Sequence, residues 1–310
     1  MVTRVSAAGE SAWLRAMPWA FVLIWSTGFI VARYGMPHAP PMSFLALRYA
    51  LSILCFLPWI LLAGVRWPAS RTQALHLAVT GMLMHAGYLG GVWAAVKAGM
   101  GSGLSSLIVG VQPVLTAIWL SSVAGQHVSR RQWLGLVLGF AGLVLVVSRK
   151  FGAGGPGDQA SWLNLALALL ALLSITAGTL YQKRYVQACD VRSANTVQLA
   201  AALVVTLPLA LLEAEPMRWT LPGGAPNVEL IGAMAWSVLG LTLGGSSLLY
   251  MLIQRGAAAS VASLMYLVPP CTALIAWLLF AEPVTAVTLA GTAVTAFGVS
   301  LVVRVPKRAG

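Results

Sequence analysis

Residues 99–113 read GMGSGLSSLIVGVQP and residues 256–270 read GAAASVASLMYLVPP. Gly99, Ser106, Leu107, Val111 and Pro113 recur as Gly256, Ser263, Leu264, Val268 and Pro270, at a constant offset of 157. Each proline lies inside an apolar run. Runs of about 20 residues span a bilayer, and the chain has ten: 17–36, 43–63, 74–96, 102–124, 132–148, 161–183, 193–213, 228–253, 258–280 and 284–303. That is five in each half. Because five is odd, the second copy enters the membrane upside down. The expected fold is all-α: an integral membrane protein of ten transmembrane helices in two inverted five-helix repeats. Its substrate site is expected near the midplane between the copies.

Composition agrees. Of 310 residues, 59% are hydrophobic and 8% charged, and the mean hydropathy is +0.86, which excludes a soluble domain. The runs are too long for barrel strands, which alternate polar and apolar residues. The net charge of +12 suggests nucleic acid, but its distribution suggests topology instead. With the N-terminus cytoplasmic, 13 Lys and Arg fall on the cytoplasmic side and 5 outside: Arg33, Lys97, Arg149, Lys150 and Arg218. Arg48 lies within a span. This bias puts both termini inside and the protein in the cell inner membrane. Cys55, Cys189 and Cys271 have neither metal spacing nor a disulfide pattern, so no metal or cofactor is expected. The first apolar run reads as an uncleaved span.

The domain plan is a cytoplasmic segment 1–16, a first repeat 17–148, a linker 149–160, a second repeat 161–303 and a cytoplasmic tail 304–310. The alignment extends past the prolines. At an offset of 150, Gly28 matches Gly178, Ser43 matches Ser193, and Leu57-Pro58 matches Leu207-Pro208. At 157, Gly87 matches Gly244 and Trp93 matches Tyr250; at 156, Gly135 matches Gly291 and Val146 matches Val302.

Several stretches carry a family resemblance: GLSSLIVGVQPVLTAIWL (103–120) with RRQWLGLVLGFAGLVLV (130–146), and SVASLMYLVPPCTALIAWLLFAEPVTAVTLAGTAVTAFGVSLV (260–302). WSTGFI (25–30) and PPMSFLALRY (40–49) add to it. Together they resemble the EamA family of the drug/metabolite transporter superfamily over nearly the whole chain. The resemblance implies ten helices, cytoplasmic termini and export of metabolites such as amino acids. One departure stands out. The family has Gly-Glu at the end of the fourth span, where this chain has Gly125-Gln126, while the second copy keeps the acid as Glu282.

Ionisable groups within a bilayer are costly and point to function. Arg48 lies about five residues into the second span, roughly 7–8 Å deep at 1.5 Å per residue. In the repeat alignment it corresponds to Gln198, and Glu282 to Gln126. An outer Arg48–Glu282 contact mirrored by an inner Gln126–Gln198 contact is therefore expected to gate access; the bland alternative is a snorkelling arginine and a solvated glutamate. His85 is the one titratable side chain near mid-span, with Tyr88 on the same helix face. It either faces the pore or bonds a neighbouring helix. Trp25, His85, Tyr88, Gln112, Tyr181, Tyr250 and Tyr266 form the expected substrate-binding set. Pro113 and Pro270 are the expected hinges, with inherited packing as the alternative. Gly135-x-x-x-Gly139 permits close helix contact, within the chain or at a dimer face.

No Asp or Glu lies at mid-span, which disfavours exchange of organic cations for protons and favours a neutral, zwitterionic or amphipathic substrate. An enzyme is not expected, since one lone His supplies neither a nucleophile with its base nor a metal cluster. No phosphate-cradling ATP loop occurs, so pumping would be driven by gradients. The expected partners are a small-molecule substrate and the lipid bilayer, not nucleic acid, with monomer or homodimer left open. Multidrug or organic-cation efflux and metabolite uptake remain alternatives to export.

Overall fold

Ser70, Ser161, Asp190 and Asn227 each accept a backbone N–H at the head of a helix, and these polar caps fix where four of the helices begin. The computed structural model describes residues 7–123, 129–150, 160–248, 251 and 267–303. Among the described residues every element is helical: α1 (Ala7–Gly35), α2 (Pro41–Leu62), α3 (Arg71–Lys97), α4 (Ser102–Val109), α5 (Gln112–Val123), α6 (Arg130–Lys150), α7 (Trp162–Tyr185), α8 (Val191–Leu211), α9 (Val228–Leu248), α10 (Val268–Phe280) and α11 (Ala286–Val303). At α7 the cap is reciprocal, since the Asn164 side chain also accepts from the Ser161 N–H at 2.8 Å.

Three interruptions shape the bundle. α3 is π-helical over Met82–Gly87, and α9 over Trp236–Gly245. Such wide turns expose backbone groups and favour sites. The third falls at Gly110–Val111, where one apolar run divides into α4 and α5. Pro113 explains it: the residue has no N–H to give and its ring crowds the carbonyl four residues back. Pro269 and Pro270 open α10, where a missing N–H costs nothing. The two proline sites meet, because a Cβ on Gly110 would lie 2.8 Å from Pro269 Cγ.

Six described helices are long and apolar enough to cross a membrane: α2, α3, α7, α8, α9 and the Ala16–Gly35 part of α1. Shorter apolar helices (Ser102–Thr116, Trp133–Ser148, Val268–Phe280, Ala286–Leu301) fall in the other four expected runs. The exterior is what lipid requires: Leu62 is 89% exposed and Leu212 81%, a surface water would not tolerate. Inside, α2 packs on α8, α3 on α7 and α8, α1 on α9 and α10, α4 on α10, and α6 on α11. Gly135 and Gly139 lie against Gly298, and Gly142 against Gly291, so the Gly-x-x-x-Gly motif packs within the chain.

Candidate substrate cavity

Six helices drawn from both halves converge on a central cavity of about 120 Å³. A single water needs roughly 10–15 Å³ of comparable space, so the cavity holds about eight to twelve water-sized atoms. Trp25, Gly28 and Phe29 of α1, Arg48 of α2, and Met84, His85, Tyr88, Leu89, Val92 and Trp93 of α3 line one side. Ile175 of α7, Asn195 and Leu199 of α8, and Leu241, Thr242 and Ser246 of α9 line the other. The wall is apolar apart from a few convergent polar groups, which is the composition of small-molecule sites.

The π segments place the polar groups. Thr242 Oγ1 donates to the Ser237 carbonyl at 2.9 Å, across a wide turn. The same oxygen accepts from Arg48 Nε at 3.3 Å and Nη2 at 3.2 Å. In α3, His85 lies in the other π segment and lines the cavity. Tyr49 donates to the His85 carbonyl at 2.9 Å, fixing the backbone there.

The structure brings together four of the singled-out residues: Trp25, Arg48, His85 and Tyr88. Gln198 is not among the lining residues; its backbone on α8 packs beside Gly81 of α3. Gln112 is turned elsewhere, donating to Thr116 Oγ1 at 3.2 Å at the start of α5. Tyr181 is near the far end of α7, with its hydroxyl 2.8 Å from His76 Nδ1 and its ring against Tyr185. Tyr250, Tyr266 and Gln126 lie outside the described residues, and with Gln126 the Gln126–Gln198 contact. Pro113 and Pro270 each stand in the first turn of a helix segment rather than mid-helix.

The expected Arg48–Glu282 contact is not made. Arg48 turns inward to Thr242. Glu282 instead accepts from Ser102 N at 3.0 Å, Ser102 Oγ at 2.8 Å and Gly103 N at 3.2 Å. It caps the first turn of α4, where unpaired N–H groups and the helix dipole attract a carboxylate. Glu213 does the same for α2, accepting from Met42 N at 2.9 Å, and from Ser43 N and Oγ at 2.8 Å each. Sequence reasoning also passed over Asn195, whose signal was a second amide one turn before Gln198 in an apolar run, and Tyr49, whose neighbour Arg48 drew the attention.

Comparison with known proteins places the molecule. A model described as the EamA-like transporter family matches residues 16–148 and 162–304. The chain is 26% identical over 188 residues to the uncharacterized inner membrane transporter YedA of Escherichia coli (strain K12), a match covering 61% of this chain and 59% of that protein. It therefore spans about three-fifths of that relative's length. It is 25% identical over 279 residues to a protein of Salmonella typhimurium named a probable amino-acid metabolite efflux pump, with 87% of this chain and 88% of that one covered. One solved crystal structure superposes with a TM-score of 0.61 at 16% identity, covering 92% of this chain and 94% of the other, a likeness of fold.

Proposed function

The chain belongs to the EamA-like transporter family, and from that premise we propose that it is an inner-membrane secondary transporter that exports a small metabolite such as an amino acid. Substrate occupies the central cavity. Access alternates between the two faces by rocking of two inverted five-helix repeats, ten spans in all, with both termini cytoplasmic.

One observation carries this reading: close helix contacts are reciprocal under the repeat offsets. Gly28 faces Leu241, while its mate Gly178 faces Met84, the mate of Leu241. Gly142 meets Gly291 and Gly298 meets Gly135, again with roles exchanged. Such exchange is what two copies related by a two-fold axis in the membrane plane produce. The cavity lies on that axis, where one rocking motion opens either side. The relative named for amino-acid metabolite efflux supports the substrate class. Cation efflux is disfavoured, since none of the described cavity-lining residues is acidic.

A growth panel tests the proposal. Cells expressing the chain should survive inhibitory concentrations of amino acids and amino-acid analogues better than control cells, and gain no protection from cationic dyes. Protection confined to the dyes would refute metabolite export.

A further inference from the structure

We infer that the cavity selects an apolar carboxylate anion, held by Arg48, in preference to a zwitterionic amino acid. This rests on the proposed transport function and narrows its substrate, within small metabolites, to anionic amino-acid derivatives rather than the amino acids themselves.

The charge balance of the chain carries the inference. It has seven acidic residues. Five lie among the described side chains, and each is committed elsewhere. Asp190 pairs with Arg192, Glu215 with Lys97 and Glu229 with His38. Glu213 and Glu282 cap helices. The remaining two, Glu10 and Asp158, belong to the N-terminal segment and the inter-repeat linker, far from mid-span in sequence. Arg48 is 7% exposed, lines the cavity, and among the described residues has no carboxylate within salt-bridge distance. Its guanidinium offers five N–H donors and remains charged. Nε and Nη2 share one neutral hydroxyl, Thr242 Oγ1, which does nothing to offset the charge. A buried, uncompensated cation is costly, and a planar fork of donors matches a carboxylate.

The same balance argues against the zwitterion. A ligand with one negative charge neutralises Arg48. An amino acid brings an ammonium as well, and the described lining offers it hydroxyls, the Asn195 amide and the His85 imidazole but no anion. The rest of the lining is apolar, including Trp25, Phe29, Ile175 and Leu199. Monocarboxylates with a branched or aromatic body of about eight to twelve heavy atoms fit that space, by the water-sized volume above. Amino acids whose amine has been acylated or removed belong to this class.

The purified full chain, in detergent and in proteoliposomes, provides the test. Four probes are compared: 4-methylpentanoate, N-acetyl-L-leucine, L-leucine and L-leucinamide. The two anions should bind at least ten-fold more tightly than L-leucine in a ligand-induced thermal-shift titration, and L-leucinamide should not bind. Arg48→Gln, which installs the residue of the repeat mate, should weaken both anions at least ten-fold with an unchanged gel-filtration profile. Arg48→Lys keeps the charge without the fork and should fall between. Equal binding of L-leucine and the anions overturns the inference, as does Arg48→Gln with undiminished anion affinity. Should Arg48→Gln fail to fold, the probe ranking on the wild-type chain and Arg48→Lys decides alone. Exchange of leucine or leucinamide without the anions would refute the carboxylate assignment and leave the transport reading standing. Binding of none of the four would refute it too, with transport then judged by the growth panel.

Discussion

Glu282 shows how a single carboxylate changes meaning between sequence and structure. Its expected place on the outer side, level with Arg48, made it that arginine's expected partner. Depth along a span was legible, but azimuth was not, and among the described residues its carboxylate is held by the donors at the head of α4 rather than by an arginine. Replacing it removes the acceptor from buried donors. Glu282→Ala should lower the melting temperature in detergent by the equivalent of about 1–3 kcal/mol, while Glu282→Gln, which keeps one acceptor oxygen, should lose less. A melt unchanged by Glu282→Ala would remove the cap from the account. Asp190 gives a pH-dependent counterpart. Hydrogen bonding from the Arg192 side chain holds its carboxyl below the ordinary carboxylate value. A depressed pKa contributes stability that is complete above the unfolded value, about 3.9, and is lost as pH falls through the lower folded one. The pair is partly exposed and screened by solvent, so Asp190→Asn should cost at most about 1 kcal/mol at neutral pH. The difference should vanish well below pH 4, as wild-type Asp190 becomes protonated in both states. A gap that persists in acid would refute this origin.

At the scale of helices, the proline signal was readable because proline acts locally: Pro113 ends one helix and starts the next wherever it lies in the membrane. The π segments were not readable. A wide turn shifts the helical period, so a face drawn at 3.6 residues per turn drifts beyond it. Tyr181 and Gln112 miss the cavity for other reasons: Tyr181 lies near the far end of α7, and Gln112 heads α5 just past the break at Gly110–Val111. Small residues carried a better signal. The crossing of α6 and α11 depends on glycines whose neighbours are backbone: a Cβ on Gly298 would come 2.5 Å from the Gly135 carbonyl oxygen. Gly298→Ala should therefore destabilise the protein by about 1–3 kcal/mol through overpacking. Gly232 in α9 is the control, since a Cβ there meets nothing within 4 Å. Gly232→Ala should be neutral, or stabilising by up to about 1 kcal/mol, through reduced freedom of the unfolded chain. Paired melts of the two variants read the difference, and equal effects would mean that the α6–α11 crossing is looser than its geometry.

For the whole molecule, the two ends of the bundle differ more than the two halves do. The end formed by residues 36–40, 98–101, 212–227 and 281–285 gathers Glu213, Glu215, Glu229 and Glu282, each tied to a helix head or a base. Asp190 alone, among the described acids, sits at the opposite end. The proposed repeat relates the two ends, and side-chain charge departs from that relation. That departure was visible in the sequence as Gln126 standing where Glu282 has its mate. In the proposed topology the lysines and arginines are skewed the other way, and by the positive-inside tendency the acid-rich end is the expected outer one. Single cysteines in a chain whose Cys55, Cys189 and Cys271 are changed to serine give a direct reading. Ala225→Cys is exposed in the acid-rich end, and Ala69→Cys is exposed at the other. A membrane-impermeant thiol reagent added to intact spheroplasts should label Ala225→Cys at once and Ala69→Cys only after the membrane is opened. The reverse pattern would invert the topology, place the carboxylate-capped helix heads in the cytoplasm, and turn the proposed export into a claim about the wrong face.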